Sequence, residues 1–456
     1  MKESLRKSPI HGWDLKSLIN LAANYAGRLW SMLAAFIFVP FYIKILGAES
    51  FGLIAFNVTL TLIVSVLSAG LIPAFARLMA RDGISLSNLL TLRSLEITLI
   101  VVGFIVAFVT YMISPLIAVS WLSVSELDIN SVISSIRLMG FISAVEILMP
   151  LYIGGFMGLE QQVKANFYQF LLGFFRSVLV IPILYYHPSI VVFFGWFLLM
   201  TVVVVWSVRI SLYKKFSGFG VARFSLIHLK VVWSFAAGMA LIGFLSAVNS
   251  QIDKLMVSAL FDLKVFAQYS LASILAQLPL IVSTPIAMTI LPRLTKAVKN
   301  SENLDRLFSN YSLFVCLAAC SVAVVTIVFP TEILTLWTKD QSLSLGQETL
   351  VRILALANLA LALQLIPFQI AIAHGFTRIN VILSIICLLA APPGILFFAS
   401  QFGISGVGVP WLLLNIFSAI VLSLVINRKF LIFPLRKLIE FVIVPLVICG
   451  FIAWKV

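Results

Sequence analysis

Charge is what this 456-residue sequence has least of: 11% of its residues are Asp, Glu, Lys or Arg, only 17 of them acidic, against 62% hydrophobic residues. Soluble domains run about 25% charged and about 45–50% apolar. With so thin a polar skin and a mean hydropathy of +1.13, a water-soluble fold is excluded. Cysteine and histidine are equally sparse, at four each. Cys316, Cys320, Cys387 and Cys449 lie inside apolar segments, without histidines at zinc-like spacing and without the aqueous setting a disulfide needs. They read as core packing. The sequence has no Gly-rich phosphate loop, metal cluster or nucleophile–base pair, so it reads as no enzyme and calls for no cofactor.

What is present is long apolar runs. A spanning helix needs about 20 mainly apolar residues, and on that basis twelve spans are predicted. The first six lie at 18–43, 52–76, 93–119, 131–157, 165–187 and 189–211. The second six lie at 229–252, 265–293, 310–336, 350–374, 379–400 and 405–427. An apolar tail at 439–454 is read as a thirteenth span or as a re-entrant or interfacial piece. The first run is too long for a signal-peptide core and lacks a small-residue cleavage site, so it is read as an uncleaved helix with a cytoplasmic N-terminus.

The net charge of +14 would suit nucleic acid if it formed a basic face, but the bases fall in short runs between spans. Alternate loops hold 22 Lys and Arg on one side and only Lys44, Lys254, Lys264 and Lys339 on the other. That is the positive-inside pattern, and no nucleic-acid partner is expected. Among the basic stretches, 212–228 is the longest, with Phe216, Phe219 and Phe224 alternating with Lys214, Lys215 and Arg223. It suits a headgroup-level linker between an N-terminal six-helix lobe, 1–211, and a C-terminal one, 229–430, with the tail at 431–456.

The halves repeat one another. Arg137, Pro150 and Gly158 in the fourth span match Arg352, Pro367 and Gly375 in the tenth at offsets of 215–217 residues. Lys164 and Asn166 match Arg378 and Asn380 at 214, and Pro73 matches Pro292 at 219. Repeats at near-constant offset point to duplication of a six-helix unit. Six being even, both copies share one orientation, the arrangement of parallel-repeat transporters. The fold class is therefore an all-α polytopic membrane protein with two six-helix lobes. Pro40, Pro73, Pro150, Pro285, Pro292 and Pro367 mark bends in it.

Phe38, Pro40 and Tyr42, followed by Leu46-Gly47, Glu49 and Phe51-Gly52, form a signature at the first two spans. Asp253-Lys254 with Phe266, Gln268, Tyr269 and Ala272 forms the equivalent stretch in the second half. This resembles the polysaccharide-transporter branch of the multidrug/oligosaccharidyl-lipid/polysaccharide exporter superfamily. In length and pattern it is most similar to bacterial O-antigen flippases. The resemblance implies an inner-membrane antiporter of undecaprenyl-pyrophosphate-linked oligosaccharide. Its implied partners are membrane lipids and a polysaccharide polymerase and chain-length regulator of the lipopolysaccharide pathway. A multidrug exporter of the same superfamily is the alternative. A membrane glycan polymerase would need a sizeable outer loop, which the sequence lacks.

Ionisable side chains at membrane depth cost about 2.5–3.5 kcal/mol on insertion scales and face a cavity or a partner. Arg28 lies ten residues into the first span, about 15 Å deep. Arg176 is similarly deep, Arg137 less so, and Arg352 is near enough the outer interface to snorkel. Glu146 is the one deep acid expected opposite the first three, and it neutralises at most one of them. Nine positions separate it from Arg137, half a turn out of phase, so those two do not pair on their own helix. Guanidinium stays protonated and binds phosphate oxygens in bidentate fashion, so the surplus reads as a cationic cavity for a pyrophosphate. The competing reading has the arginines bonded to Glu146 and backbone carbonyls.

Glu146 and Asp253 are candidates for ion coupling, with a surface ion pair to Lys254 as the competing reading of Asp253. Asn24, Asn57 and Gln251 are candidates for hydrogen bonds to sugars, or to neighbouring helices. Gln364, Gln369 and His374 recur at spacing five and drift round their helix; His374 reads as interfacial.

Overall fold

The computed structural model describes residues 34, 36–68, 70–220, 223–300, 303–376, 378–431, 436 and 439–455. Arg28 and Asn24 lie outside these residues, as does most of the first expected span. Among the described residues the backbone is helical throughout apart from turns and one isolated bridge, Ser123 to Asp262. A chain of this composition satisfies its N–H and C=O groups within each segment, because hydrocarbon offers them no partner. Among the described residues nine helices are long and apolar enough to cross a membrane, and the protein is a multi-pass membrane protein.

The elements are α1 (Phe36–Leu46), α2 (Ala48–Ser65), α3 (Leu71–Asp82), α4 (Leu86–Leu116), α5 (Ile129–Glu146), α6 (Met149–Gly158), α7 (Gln162–Ser177), α8 (Val180–Tyr186) and α9 (Ile190–Tyr213). After them come α10 (Leu226–Leu260), α11 (Leu263–Ala276), α12 (Leu278–Lys299), α13 (Asp305–Val328), α14 (Pro330–Thr338), α15 (Glu348–Leu363), α16 (Leu365–Ala373), α17 (Arg378–Phe430) and α18 (Val444–Lys455). Several expected spans are broken rods. The break between α5 and α6 falls just before Pro150, and that between α15 and α16 just before Pro367, where the ring removes a helical N–H. The spans expected at 379–400 and 405–427 run together as α17, kinked at Gly403, whose φ of +60° favours glycine. The tail is helical from 439 to 455, about 25 Å at 1.5 Å per residue, short of the roughly 30 Å hydrocarbon layer. Phe441 in it meets Phe308 of α13 edge-on at 6.0 Å.

The chain forms two compact units. Unit 1 comprises 1–47, 60–118 and 127–244, and unit 2 comprises 48–59, 119–126 and 245–456. The linker expected at 212–228 falls inside unit 1, and the first twelve residues of α2 fall in unit 2. Each unit has its own core. In unit 1, Phe75 and Met79 of α3, Leu95 of α4, Tyr152 and Phe156 of α6, and Val208 of α9 interlock. In unit 2, Ile290 and Leu294 of α12, Val315 of α13, Ile366 and Ile370 of α16, and Ile426 of α17 do the same. These are the elements of matching rank in the two halves.

The repeat extends to single hydrogen bonds. At the end of α6, Gln161 N–H reaches Phe156 C=O at 2.8 Å and Leu159 N–H reaches Gly155 C=O at 3.2 Å. At the end of α16, Phe376 N–H reaches Ala371 C=O at 2.8 Å and His374 N–H reaches Ile370 C=O at 3.1 Å. Both ends turn through a left-handed residue, Glu160 at φ +56° and Gly375 at φ +68°, the Schellman closure of a helix C-terminus. Gly158, which the sequence offsets match to Gly375, is not the left-handed residue; its constraint is that a Cβ there would stand 2.5 Å from the Ala76 carbonyl of α3.

All four cysteines are free thiols, with Cys316 and Cys320 3.9 Å apart on α13. Open space surrounds Gly375, so Gly375→Ala brings only the left-handed strain, about 1 kcal/mol. A lowered thermal midpoint in detergent, with membrane insertion unchanged, is the expected result.

Candidate functional site

Arg176 ends α7, Glu146 ends α5 and Thr201 lies mid-way along α9, all in unit 1. The guanidinium grips the carboxylate with both nitrogens, Nη1 to Oε1 at 3.2 Å and Nη2 to Oε2 at 2.7 Å. Nε and Nη2 also donate to Thr201 Oγ1 at 3.2 and 2.5 Å, and the Phe197 ring lies 5.2 Å from the charge. With side chains only 13% and 26% exposed, this is a largely buried bidentate pair. The sequence reading allows Glu146 to neutralise one of the deep arginines, and Arg176 is the one it pairs with.

Arg352 is likewise held. Its Nε donates to Ile327 C=O at 3.1 Å, one of the last carbonyls of α13, which have no partner within their own helix. A cation there is also favoured by the helix dipole. Arg137, its repeat mate, approaches the matching helix end, that of α4. Here it finds a hydroxyl and a ring: Nε donates to Ser114 Oγ at 3.2 Å, and the guanidinium lies 4.3 Å from the centre of the Tyr111 ring. Among the described residues no carboxylate pairs with Arg137, which is half-buried.

In unit 2, Asp253 of α10 is buried, and Tyr269 of α11, buried completely, donates its hydroxyl to Asp253 Oδ2 at 2.7 Å. Lys254 Nζ is 3.5 Å from the same oxygen. The ion pair to Lys254 expected of Asp253 is present, but it is largely buried, and a phenol donates to the same carboxylate at shorter range. Gln251 is also buried, its Oε1 without a hydrogen bond, and Asn57 of α2 has the same condition at Oδ1. Two residues before Gln251, Asn249 donates to Ser384 C=O at 2.9 Å and leaves its own Oδ1 unpartnered. Gln364 accepts from Ser418 at 2.9 Å, and His374 stacks on Phe430 at 3.8 Å.

Two acids escape the sequence reading. Glu96 of α4 is fully buried and gathers Arg93, Arg209, Tyr152 and Tyr213. Arg93 and Arg209, at the ends of the expected spans 93–119 and 189–211, lie inside helices and share one carboxylate. The i,i+3 spacing of Arg93 and Glu96 was the available signal. Glu49, in the signature segment, is buried too. It accepts the N–H groups of Ser125 and Glu126 at 2.6 and 2.7 Å. Around it Leu263 N–H meets Ser123 C=O at 3.0 Å, and Trp121 Nε1 meets Ser258 Oγ at 3.0 Å. Gly52 packs so close that a Cβ would stand 2.5 Å from the Leu263 carbonyl. The signature residues Glu49 and Gly52 therefore join segments of unit 2.

A family model described as polysaccharide biosynthesis protein matches residues 17–298. Among solved structures, an inward-facing multidrug resistance MATE family transporter of the MOP superfamily is 16% identical. That match covers 91% of this chain and 98% of the other, at a TM-score of 0.72. The lipid II flippase MurJ, in an inward closed conformation, is 14% identical over 96% and 93%, at 0.67. A MOP superfamily transporter from Pyrococcus furiosus, described as having a binding pocket of reversed polarity, is 14% identical over 91% and 94%, at 0.55. These likenesses establish the MOP transporter fold. No curated protein matches the chain in sequence.

Glu146→Gln strands a largely buried guanidinium and is expected to destabilise unit 1 by about 3 kcal/mol. The double variant Glu146→Gln, Arg176→Gln should recover most of that loss, as read by unfolding in detergent. Additive losses would contradict the pairing.

Proposed function

The chain belongs to the polysaccharide biosynthesis protein family, and from that premise we propose that it is a flippase for lipid-linked glycans. The cargo is an undecaprenyl-pyrophosphate-linked oligosaccharide, an O-antigen or related repeat unit. It passes from the cytoplasmic to the periplasmic leaflet by alternating access of two lobes, 1–211 and 229–430. The protein sits in the bacterial inner membrane with its N-terminus in the cytoplasm. It delivers to a polymerase and chain-length regulator.

The observation that carries this reading is Arg137, a permanently charged group on a membrane-depth helix whose contacts among the described residues are a hydroxyl and an aromatic face. Neither neutralises it, and a guanidinium does not lose its proton to escape the cost of burial. A pyrophosphate supplies the missing negative charge and accepts its hydrogen bonds in pairs. Arg28, by its depth in the sequence, is assigned the same role, with Asn24, Asn57 and Gln251 offered to the sugars. A multidrug exporter that handles cations needs unpaired acids, whereas the buried acids of unit 1, Glu146 and Glu96, are each bound to arginine.

Ion coupling is assigned to Asp253 rather than Glu146. Protonating Glu146 would strand Arg176 in the interior, at a cost of several kcal/mol. Protonating Asp253 leaves its phenol partner able to re-bond, and the charge it releases, on Lys254, is held at 3.5 Å on a flexible side chain more exposed than that of Arg176.

Arg137→Ala should cut surface glycan display roughly tenfold or more, the loss of one or two charge-assisted bonds, at unchanged membrane levels. Normal display in the Arg28→Ala, Arg137→Ala double variant would sink the cationic-site reading. For coupling, Asp253→Asn in inverted vesicles should transport at a rate insensitive to a proton or sodium gradient, and a retained gradient response would remove Asp253 from the mechanism.

A further inference from the structure

Glu96 has more cation than it needs. Its Oε1 accepts Arg209 Nε at 2.5 Å and Tyr152 OH at 2.6 Å, and its Oε2 accepts Arg93 Nη1 at 2.6 Å and Tyr213 OH at 2.7 Å. A carboxylate offers about four lone-pair sites, so these four donors saturate it. The buried acid is then satisfied, and one arginine with the two phenols would have balanced its charge. The second arginine leaves the cluster at +1.

Donors are in surplus as well. Each guanidinium carries five N–H groups, and the pair commits two to Glu96 at short distance, with a longer Arg209 Nη2 contact at 3.5 Å. The remaining donors sit on side chains that are 35% exposed for Arg93 and 27% for Arg209, while Glu96 itself is sealed at 0%. The acid is hidden and the cations reach out. Arg209 is further fixed between aromatic rings, Trp206 at 5.1 Å and Tyr213 at 4.7 Å, so little rotamer freedom remains to be lost on binding.

Depth narrows the ligand. Arg93 stands seven residues in from Leu86 at the start of α4, about 10 Å. Arg209 stands four residues before the end of α9, where Lys214 and Lys215 follow. Both therefore lie near the basic end of their helices, at the level where bilayer phosphates sit. A guanidinium fork matches phosphate oxygens in bidentate geometry, and a weakly hydrated cation gives up water readily there. Carboxylates are scarce at that depth and phosphates abundant.

We propose that Arg93 and Arg209, oriented by the buried Glu96, form a binding site for the phosphate group of an anionic lipid headgroup at the basic end of unit 1. The site requires only a membrane setting and stands apart from the transport reading. Its occupant is either a resident anionic phospholipid or the pyrophosphate of a polyprenyl carrier, which present the same chemistry.

The test is equilibrium binding of farnesyl pyrophosphate to the full chain in phosphatidylcholine nanodiscs at low salt. Arg93→Gln leaves a neutral Arg209–Glu96 pair in place and removes only the surplus charge. It should weaken binding roughly tenfold or more with no change in the thermal midpoint of the unliganded protein. Arg93→Lys, which keeps the charge and loses the fork, should fall between. Repeating the titration in discs containing phosphatidylglycerol separates the sources: displacement of the probe identifies a phospholipid occupant, and undisturbed binding identifies the pyrophosphate. Wild-type affinity in both Arg93→Gln and Arg209→Gln would overturn the proposal and leave the cluster a structural ion pair. Neither result bears on Arg137, so the flippase reading is tested independently.

Discussion

A guanidinium cannot shed its proton, and hydrocarbon cannot solvate it; each arginine carried into a span must therefore find its own answer. The described residues give four answers. Arg176 is closed by a bidentate carboxylate and a hydroxyl, and Arg352 by the Ile327 carbonyl near the end of α13. Arg93 and Arg209 share a single acid, and Arg137 has only Ser114 and Tyr111. The first two close locally and fix helix to helix. The last two leave positive charge over, and that remainder is where an anionic ligand gains most. Pairing strength and functional availability thus run in opposite directions along the same chain.

The same demand for satisfaction shapes the backbone. Pro150 and Pro367 each interrupt a span, and each interruption is followed one short helix later by a Schellman closure through a left-handed residue. Glycine holds that conformation without strain at 375, whereas Glu160 accepts it with a Cβ. The duplicated geometry therefore outlasts the residue best suited to it. Arg137 and Arg352 tell a related story: both reach the C-terminal end of the preceding long helix, but α13 presents a carbonyl and α4 a hydroxyl beneath a ring. One copy became a cap and the other retained an unanswered charge.

The long apolar runs and the repeat were legible in the sequence because hydropathy and register are local or periodic properties. Breaks within spans were less so: Pro150, Pro182 and Pro367 each stand within three residues after one, whereas Pro285 and Pro292 lie inside α12 without breaking it. Partnerships were the least legible, since they depend on which faces of distant helices meet. Glu146 and Arg176 are thirty residues apart on helices separated by α6, and only the fold chooses Arg176 over Arg137. Glu96 was passed over because Arg93 beside it looked like a loop base at the start of a span. For Asp253 the adjacent Lys254 was legible as an ion-pair partner, but its burial and its shorter contact, to Tyr269 sixteen residues away, were not. The signature around Glu49 and Gly52 was recognisable as a pattern, but its physical basis, a carboxylate capping two N–H groups and a glycine under a carbonyl, required the coordinates.

These placements divide the chemistry between the halves under the proposed function. In unit 1 the acids are consumed by arginines, so what remains is cationic and suited to phosphate. In unit 2 the buried acid Asp253 bonds a phenol, and the carboxamides Asn249 and Gln251 on the same helix keep unpartnered oxygens; what remains there is oxygen-rich and suited to a small cation or a proton. Under that reading, unit 1 offers surplus cationic donors to an anionic cargo and unit 2 offers oxygen acceptors to a coupling cation.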